Sequence, residues 1–410
     1  MSYASDVRLL LTDRDLTALF CQHAGQQENL KDQDWVLLLS WGFEYQVPGL
    51  VKYIVQHNPV SLGRLPAEVI YDFLLQYVAR RDFDTLQLVV AGANANTTFR
   101  THVLRLLTCY EDPSPSIGAI SRVLVDNGFE LNGAEISGDP LLLWASKRRQ
   151  DDLVQLILER CSVDVNARDS EGQTALSLAV ISGSLTTMKM LLDAGADANR
   201  QGKEGGAPLS YAASMDREEQ ASLLLKVKDI NVNVQDNDGA TYLLRAVRLA
   251  PGPVVGLLLK HQDVDVNLRN KDGDTPLLRA VMLNAVSVAS LLLKHKGVDV
   301  NAPDEDGVTS LLRAVKLTRL SMVKLLLEHS FVDVNVRDRS GRSSLWWAVH
   351  QGPDAIVELL LERPDIDLGG GAPEPCDALE ETSPLEMARK RGYSRMATML
   401  EQRMRQKQVQ

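Results

Sequence analysis

The sequence predicts an all-α solenoid, a stack of paired short helices sharing one continuous core. Three observations carry this reading. One phrase is written three times, as NDGATYLLRAV…LLLKHQDVDVN, KDGDTPLLRAV…LLLKHKGVDVN and EDGVTSLLRAV…LLLEHSFVDVN. Asn267, Asn301 and Asn335 stand 34 residues apart, as do Arg245, Arg279 and Arg313, and a fixed period in that range marks a stacked repeat array. Each phrase also holds two apolar runs that cannot bury both faces alone, so neighbouring units must stack.

Within one unit, Gly273 permits a tight turn, and Thr275-Pro276 opens a first helix, where the missing N–H of Pro costs nothing. Leu277, Leu278, Ala280 and Val281 give that helix its apolar face. Leu291, Leu292 and Leu293 supply the second helix, and Asn301 closes the unit in a turn. The Gly, the Thr-Pro-Leu, the Leu-rich second helix and the closing Asp-Val-Asn resemble the ankyrin repeat. That resemblance implies a partner lying across the fingertip turns and the concave face of the first helices. The sequence departs from the family where His is usual: Leu244, Leu278 and Leu312 stand there, with Ser177, Ser210 and Trp346 elsewhere. The family's Thr–His hydrogen-bond ladder is therefore expected to give way to apolar packing.

Taken in order, residues 1–32 read as a helical N-terminal cap with a polar stretch, and residues 33–132 as degenerate repeats. Within these, residues 65–90 open with Leu65, Pro66 and Glu68 and also resemble an F-box, which competes with a repeat in phase. Closing positions then fall at Asn132, Asn166, Asn199, Asn233, Asn267, Asn301, Asn335 and Gly369, spaced by 33 or 34 residues. Residues 133–369 are thus regular repeats, part of an array of about ten units. A Gly/Pro-rich loop is expected over 370–382, then a basic C-terminal capping repeat and tail over 383–410. The phrases LLRAV and VDVN resemble ankyrin arrays from filamentous fungi.

The net charge of −10 opposes general attraction to nucleic acid or anionic membrane. No apolar run approaches spanning length, and MSYASDVRLLLTDRD meets acids too early for a signal peptide. Cys21, Cys109, Cys161 and Cys376 lack metal or redox spacing and read as reduced thiols of a cytoplasmic or nuclear protein. No nucleophile elbow, triad context, GxGxxG or P-loop is present, so no catalytic residue, cofactor or metal is assigned.

Candidate binding residues form a column, two positions after Leu277 in each unit: Trp144, Leu178, Tyr211, Arg245, Arg279, Arg313 and Trp347. Arg248, Lys316 and His350 flank it one turn further along the same helices. Guanidiniums suit bidentate capture of carboxylate or phosphate. This points to a protein partner with an acidic or carboxylate-bearing surface, or to a small anionic ligand, bound by a monomer. The competing reading pairs these arginines internally with Asp238, Asp272 and Asp306. His261, His295 and His329 form another column, too widely spaced for chelation and better suited to a charge interaction at helix C-termini. Function therefore stays open between a protein-interaction scaffold, an F-box-like receptor for ubiquitin ligation, and a groove recruited for small-molecule binding or chemistry.

Overall fold

The computed structural model describes residues 32–44, 47–57, 121–122, 124–126, 135–136, 139–248, 252–369 and 383–409. The F-box-like stretch, the 370–382 loop and three of the four cysteines lie outside the described residues. The chain divides into two compact units, Met1–Asp197 and Ala198–Gln410.

In the first unit, α1 (Asp32–Glu44) packs on α2 (Pro48–His57) through Leu39, Leu50, Val51 and Ile54, all buried. A two-residue antiparallel ladder, β1 (Glu135–Ile136) with β2 (Asp139–Pro140), precedes the helix pair α3 (Leu141–Lys147) and α4 (Asp151–Arg160). The pair α5 (Ala175–Ser182) and α6 (Leu185–Asp193) stacks on it. Asp151 links the two pairs by accepting hydrogen bonds from the hydroxyls of Ser184 and Thr187.

The second unit repeats one design. Its pairs are α7 (Pro208–Ser214) with α8 (Glu218–Leu224), α9 (Tyr242–Val247) with α10 (Pro253–Leu259), and α11 (Pro276–Met282) with α12 (Val286–Leu293). They continue as α13 (Ser310–Lys316) with α14 (Leu320–Leu327), α15 (Ser344–Gln351) with α16 (Asp354–Leu361), and α17 (Pro384–Lys390) with α18 (Ser394–Val409). Helix pairs recur within each unit, and the short β1–β2 ladder is the one named strand pair among the described residues.

Local chemistry explains where several of the first helices begin. Thr241, Thr275, Thr309 and Ser343 accept the amide three residues on, a cap worth about 1 kcal/mol. The last pair begins with a full capping box between Ser383 and Glu386. Leu244, Leu278 and Leu312 are buried at 3 %, 0 % and 0 % exposure, so apolar packing does replace the polar ladder expected at the family's His position. In the second helices, Leu258, Leu292, Leu326 and Leu360 make the continuous core, whereas Leu291 faces outward.

A different polar ladder holds the repeats together. The side chain of Asn301 donates to the Phe331 carbonyl and accepts from the Asp333 amide, both at 2.8 Å. Asn199, Asn233, Asn267 and Asn335 repeat this pair of bonds within the second unit, and Asn166 repeats it within the first. The closing Asn thus does more than favour a turn: it clamps the next repeat.

Candidate interaction groove

The fingertip turns are built on buried carboxylates. One oxygen of Asp236 accepts the amides of Asp238 and Ala240; Asp304 does so for Asp306 and Val308, and Asp338 for Ser340 and Arg342. Asn270 fills the same place with its carbonyl oxygen. The second carboxylate oxygen then points to the residue nine positions on. Arg245 meets Asp236 at 2.6 Å and also reaches the exposed Asp238 at 3.0 Å, while Arg313 meets Asp304. Asn270 offers no such oxygen, so Arg279 turns instead to the buried Asp274 at 3.0 Å.

The arginine column is therefore internally paired, mostly with acids other than those named from sequence. Of Asp238, Asp272 and Asp306, Asp238 alone forms an ion pair with the column. Burial works against the charge of Arg245, but its bonds to Asp236 and Asp238 outweigh this and raise its pKa above the ordinary value. Asp274 behaves in the opposite sense, since burial raises its pKa despite Arg279.

At the next position the column ends in an aromatic cluster. The Trp347 indole N–H donates to Asp338 at 2.9 Å, and Lys316 donates to the same carboxylate at 3.0 Å. Lys316 also lies over the Trp347 ring at 4.3 Å, and the guanidinium of Arg342 at 4.8 Å. Trp346 stacks on His350 with centroids 5.0 Å apart. Burial pushes the Asp338 carboxyl up, but the Trp347, Arg342 and Lys316 hydrogen bonds prevail and hold it below the usual range.

Two adjoining pockets open beside Arg245. The first, of about 400 Å³, is lined by Glu204, Ser210, Tyr211, Asn237 and Asp238 around the Asp236–Arg245 pair. Tyr211 lies against Gly206, where an added Cβ would stand 3.2 Å from its hydroxyl oxygen. The second, of about 320 Å³, is lined by Asp238, Arg245, Arg248, Lys271, Asp272 and Arg279.

The structure thus places Tyr211 in the first pocket and Arg248 and Arg279 in the second, with Arg245 lining both, and groups Lys316, Trp347 and His350 at the aromatic end, while Arg313 is held by Asp304. Trp144 sits half-buried on α3 of the first unit. Sequence reasoning missed Glu204, Lys271 and the buried Asp236, Asp304 and Asp338. The three aspartates carried a signal, since each lies nine residues before its column member. In the histidine column, Nδ1 of His261 and of His295 accepts a backbone amide two residues on. Among the described residues, no group of three His, Cys, Asp or Glu stands close enough to hold a metal, and no helix is long and apolar enough to cross a membrane.

Comparison with known proteins agrees with this architecture. A family model described as ankyrin repeats (3 copies) matches residues 74–202, 141–236, 243–338 and 297–370, more than half of the chain. The Neurogenic locus Notch protein of Drosophila melanogaster is 36 % identical over 107 residues, which is 25 % of this chain and 4 % of that protein. Alpha-latrocrustotoxin-Lt1a of Latrodectus tredecimguttatus is 34 % identical over 94 residues, 23 % of this chain and 7 % of the toxin. The chain spans less than a tenth of the length of either relative. The crystal structure of the ankyrin repeat domain of Bcl-3 superposes with a TM-score of 0.51 at 25 % identity, covering 54 % of this chain and 98 % of that domain.

Proposed function

The chain belongs to the ankyrin-repeat family, whose repeats are typical protein-interaction modules, and we propose that it is a scaffold binding a protein partner in the groove beside Arg245. The finer proposal is that the second pocket receives a carboxylate from that partner. The observation that carries it is the donor set of that pocket: the exposed Arg248 and Lys271 line one space of about 320 Å³, beside Asp238, Asp272 and the Asp274-bound Arg279. Arg245, Arg279 and Arg313 contribute less than their charge suggests, because buried aspartates already hold them. A guanidinium in a fixed fork beside an ammonium matches a carboxylate in geometry as well as charge.

The test uses a glutamate-bearing peptide and the double variant R248E/K271E. Both side chains are exposed, so melting temperature should stay unchanged while affinity falls about tenfold or more. Binding by the native protein should also weaken as salt is raised. Unchanged affinity in the double variant would remove this pocket as the acidic-ligand site.

A further inference from the structure

We infer that the groove recognises an extended partner segment carrying a basic and an acidic side chain three residues apart, one in each pocket. This rests on the carboxylate pocket just proposed and extends it to its neighbour. The first pocket presents the opposite chemistry: Glu204 and Asp238 contribute carboxylates to its lining, with Ser210, Ser214 and Asn237 as further polar groups and Tyr211 among them. Ammonium or guanidinium groups gain from both carboxylates and an aromatic face.

Arg245 and Asp238 line both pockets and are joined at 3.0 Å, so their ion pair forms the wall between them. Because Asp236 also holds Arg245, the wall keeps its place with either pocket filled. A ligand group with the wrong charge would have to break this wall or sit unpaired beside it.

Spacing selects the ligand's conformation. The pockets belong to successive repeats, and stacked helices lie about 8–10 Å apart. A polyproline II segment rises about 3.1 Å per residue with three residues per turn, so side chains three apart lie about 9 Å apart on one face. A β-strand places same-face side chains about 7 Å apart, then about 13 Å, and fits less well.

The test is fluorescence polarisation with labelled proline-rich peptides containing Lys-Pro-Pro-Glu, Glu-Pro-Pro-Lys, Lys-Pro-Pro-Lys or Glu-Pro-Pro-Glu. One of the two mixed peptides should bind about tenfold or more tighter than either like-charged peptide. Glu204→Lys should erase that advantage while leaving Glu-Pro-Pro-Glu no weaker, and R248E/K271E should shift preference toward Lys-Pro-Pro-Lys. Circular dichroism of each variant confirms that the helices remain. If mixed peptides bind no tighter than Glu-Pro-Pro-Glu, the charge-pair inference is overturned while the acidic-ligand pocket stands. If Glu-Pro-Pro-Glu also ignores R248E/K271E, or no peptide binds at millimolar concentration, both readings fall.

Discussion

Replacing Asp338 by Asn is the sharpest available perturbation of the fingertip design. The substitution preserves the oxygen that accepts the Ser340 and Arg342 amides. It places an amide group where Trp347 and Lys316 both donate, so donor faces donor in a site where Asp338 is only 7 % exposed. Each hydrogen bond to a charged group contributes about 1.5–3 kcal/mol, and partial exposure of Lys316 lets water recover some of it. The expected loss is about 2–4 kcal/mol, measured by urea unfolding followed through circular dichroism and tryptophan fluorescence. The pH dependence supplies a second reading. The folded carboxyl titrates below its unfolded value, so the stabilisation is fully present above the unfolded pKa of about 3.9 and is lost as pH falls through the folded one. The gap between native protein and variant should hold from neutral pH to about pH 5 and close in more acidic solution. A variant within about 0.5 kcal/mol of the native protein at neutral pH, or a gap unchanged by acid, would refute the reasoning.

Asp274 should respond in the opposite direction, because burial raises its pKa and disfavours its charged form. Asp274→Asn should change neutral-pH stability by less than about 1 kcal/mol, since Arg279 keeps access to water, and should become relatively less favourable in acid. Asn301→Ala removes two inter-repeat hydrogen bonds and should cost about 1–2 kcal/mol in urea unfolding. Gly205→Ala should cost more than about 1 kcal/mol, because φ is +76° and the new Cβ would stand 2.6 Å from the Asn237 amide nitrogen. Arg245→Ala should lower the melting temperature, because Asp236, with a side chain 3 % exposed, would lose its guanidinium.

The repeat register was legible from Asn166 to Asn335, because a near-constant period fixes the equivalent positions at once. Helix starts were equally legible, since Thr275 and Pro276 act through bonds within a few residues. The ion pairs were legible only in kind. Linear order suggested that the outward-facing Asp272 and Asp306 would serve, but the turn buries Asp304 beneath its own amides and points it at Arg313. Nothing in the repeat pattern disclosed that Asn270 would divert Arg279 to Asp274, which needs the three-dimensional turn. The pockets were hidden for a related reason: each draws its lining from turns and helices of two successive units, as with Glu204 and Asp238.

The asparagine clamp has a direction. Each side chain reaches only forward, bonding a carbonyl 30 residues on and an amide 32 residues on in the regular units. Every 34-residue block therefore carries one clamp for its successor and one seat for its predecessor. Copying a whole block inserts a clamp and a seat together, and every joint in the lengthened array is complete. An insertion of another length between clamp and seat must be absorbed before the seat can be reached. From Asn166 the offsets are 29 and 31, so there the chain has closed up by one residue and still made the joint. The unit of change that this architecture tolerates is thus the block, and the near-identical phrases after Asn237 are what such copying would leave behind.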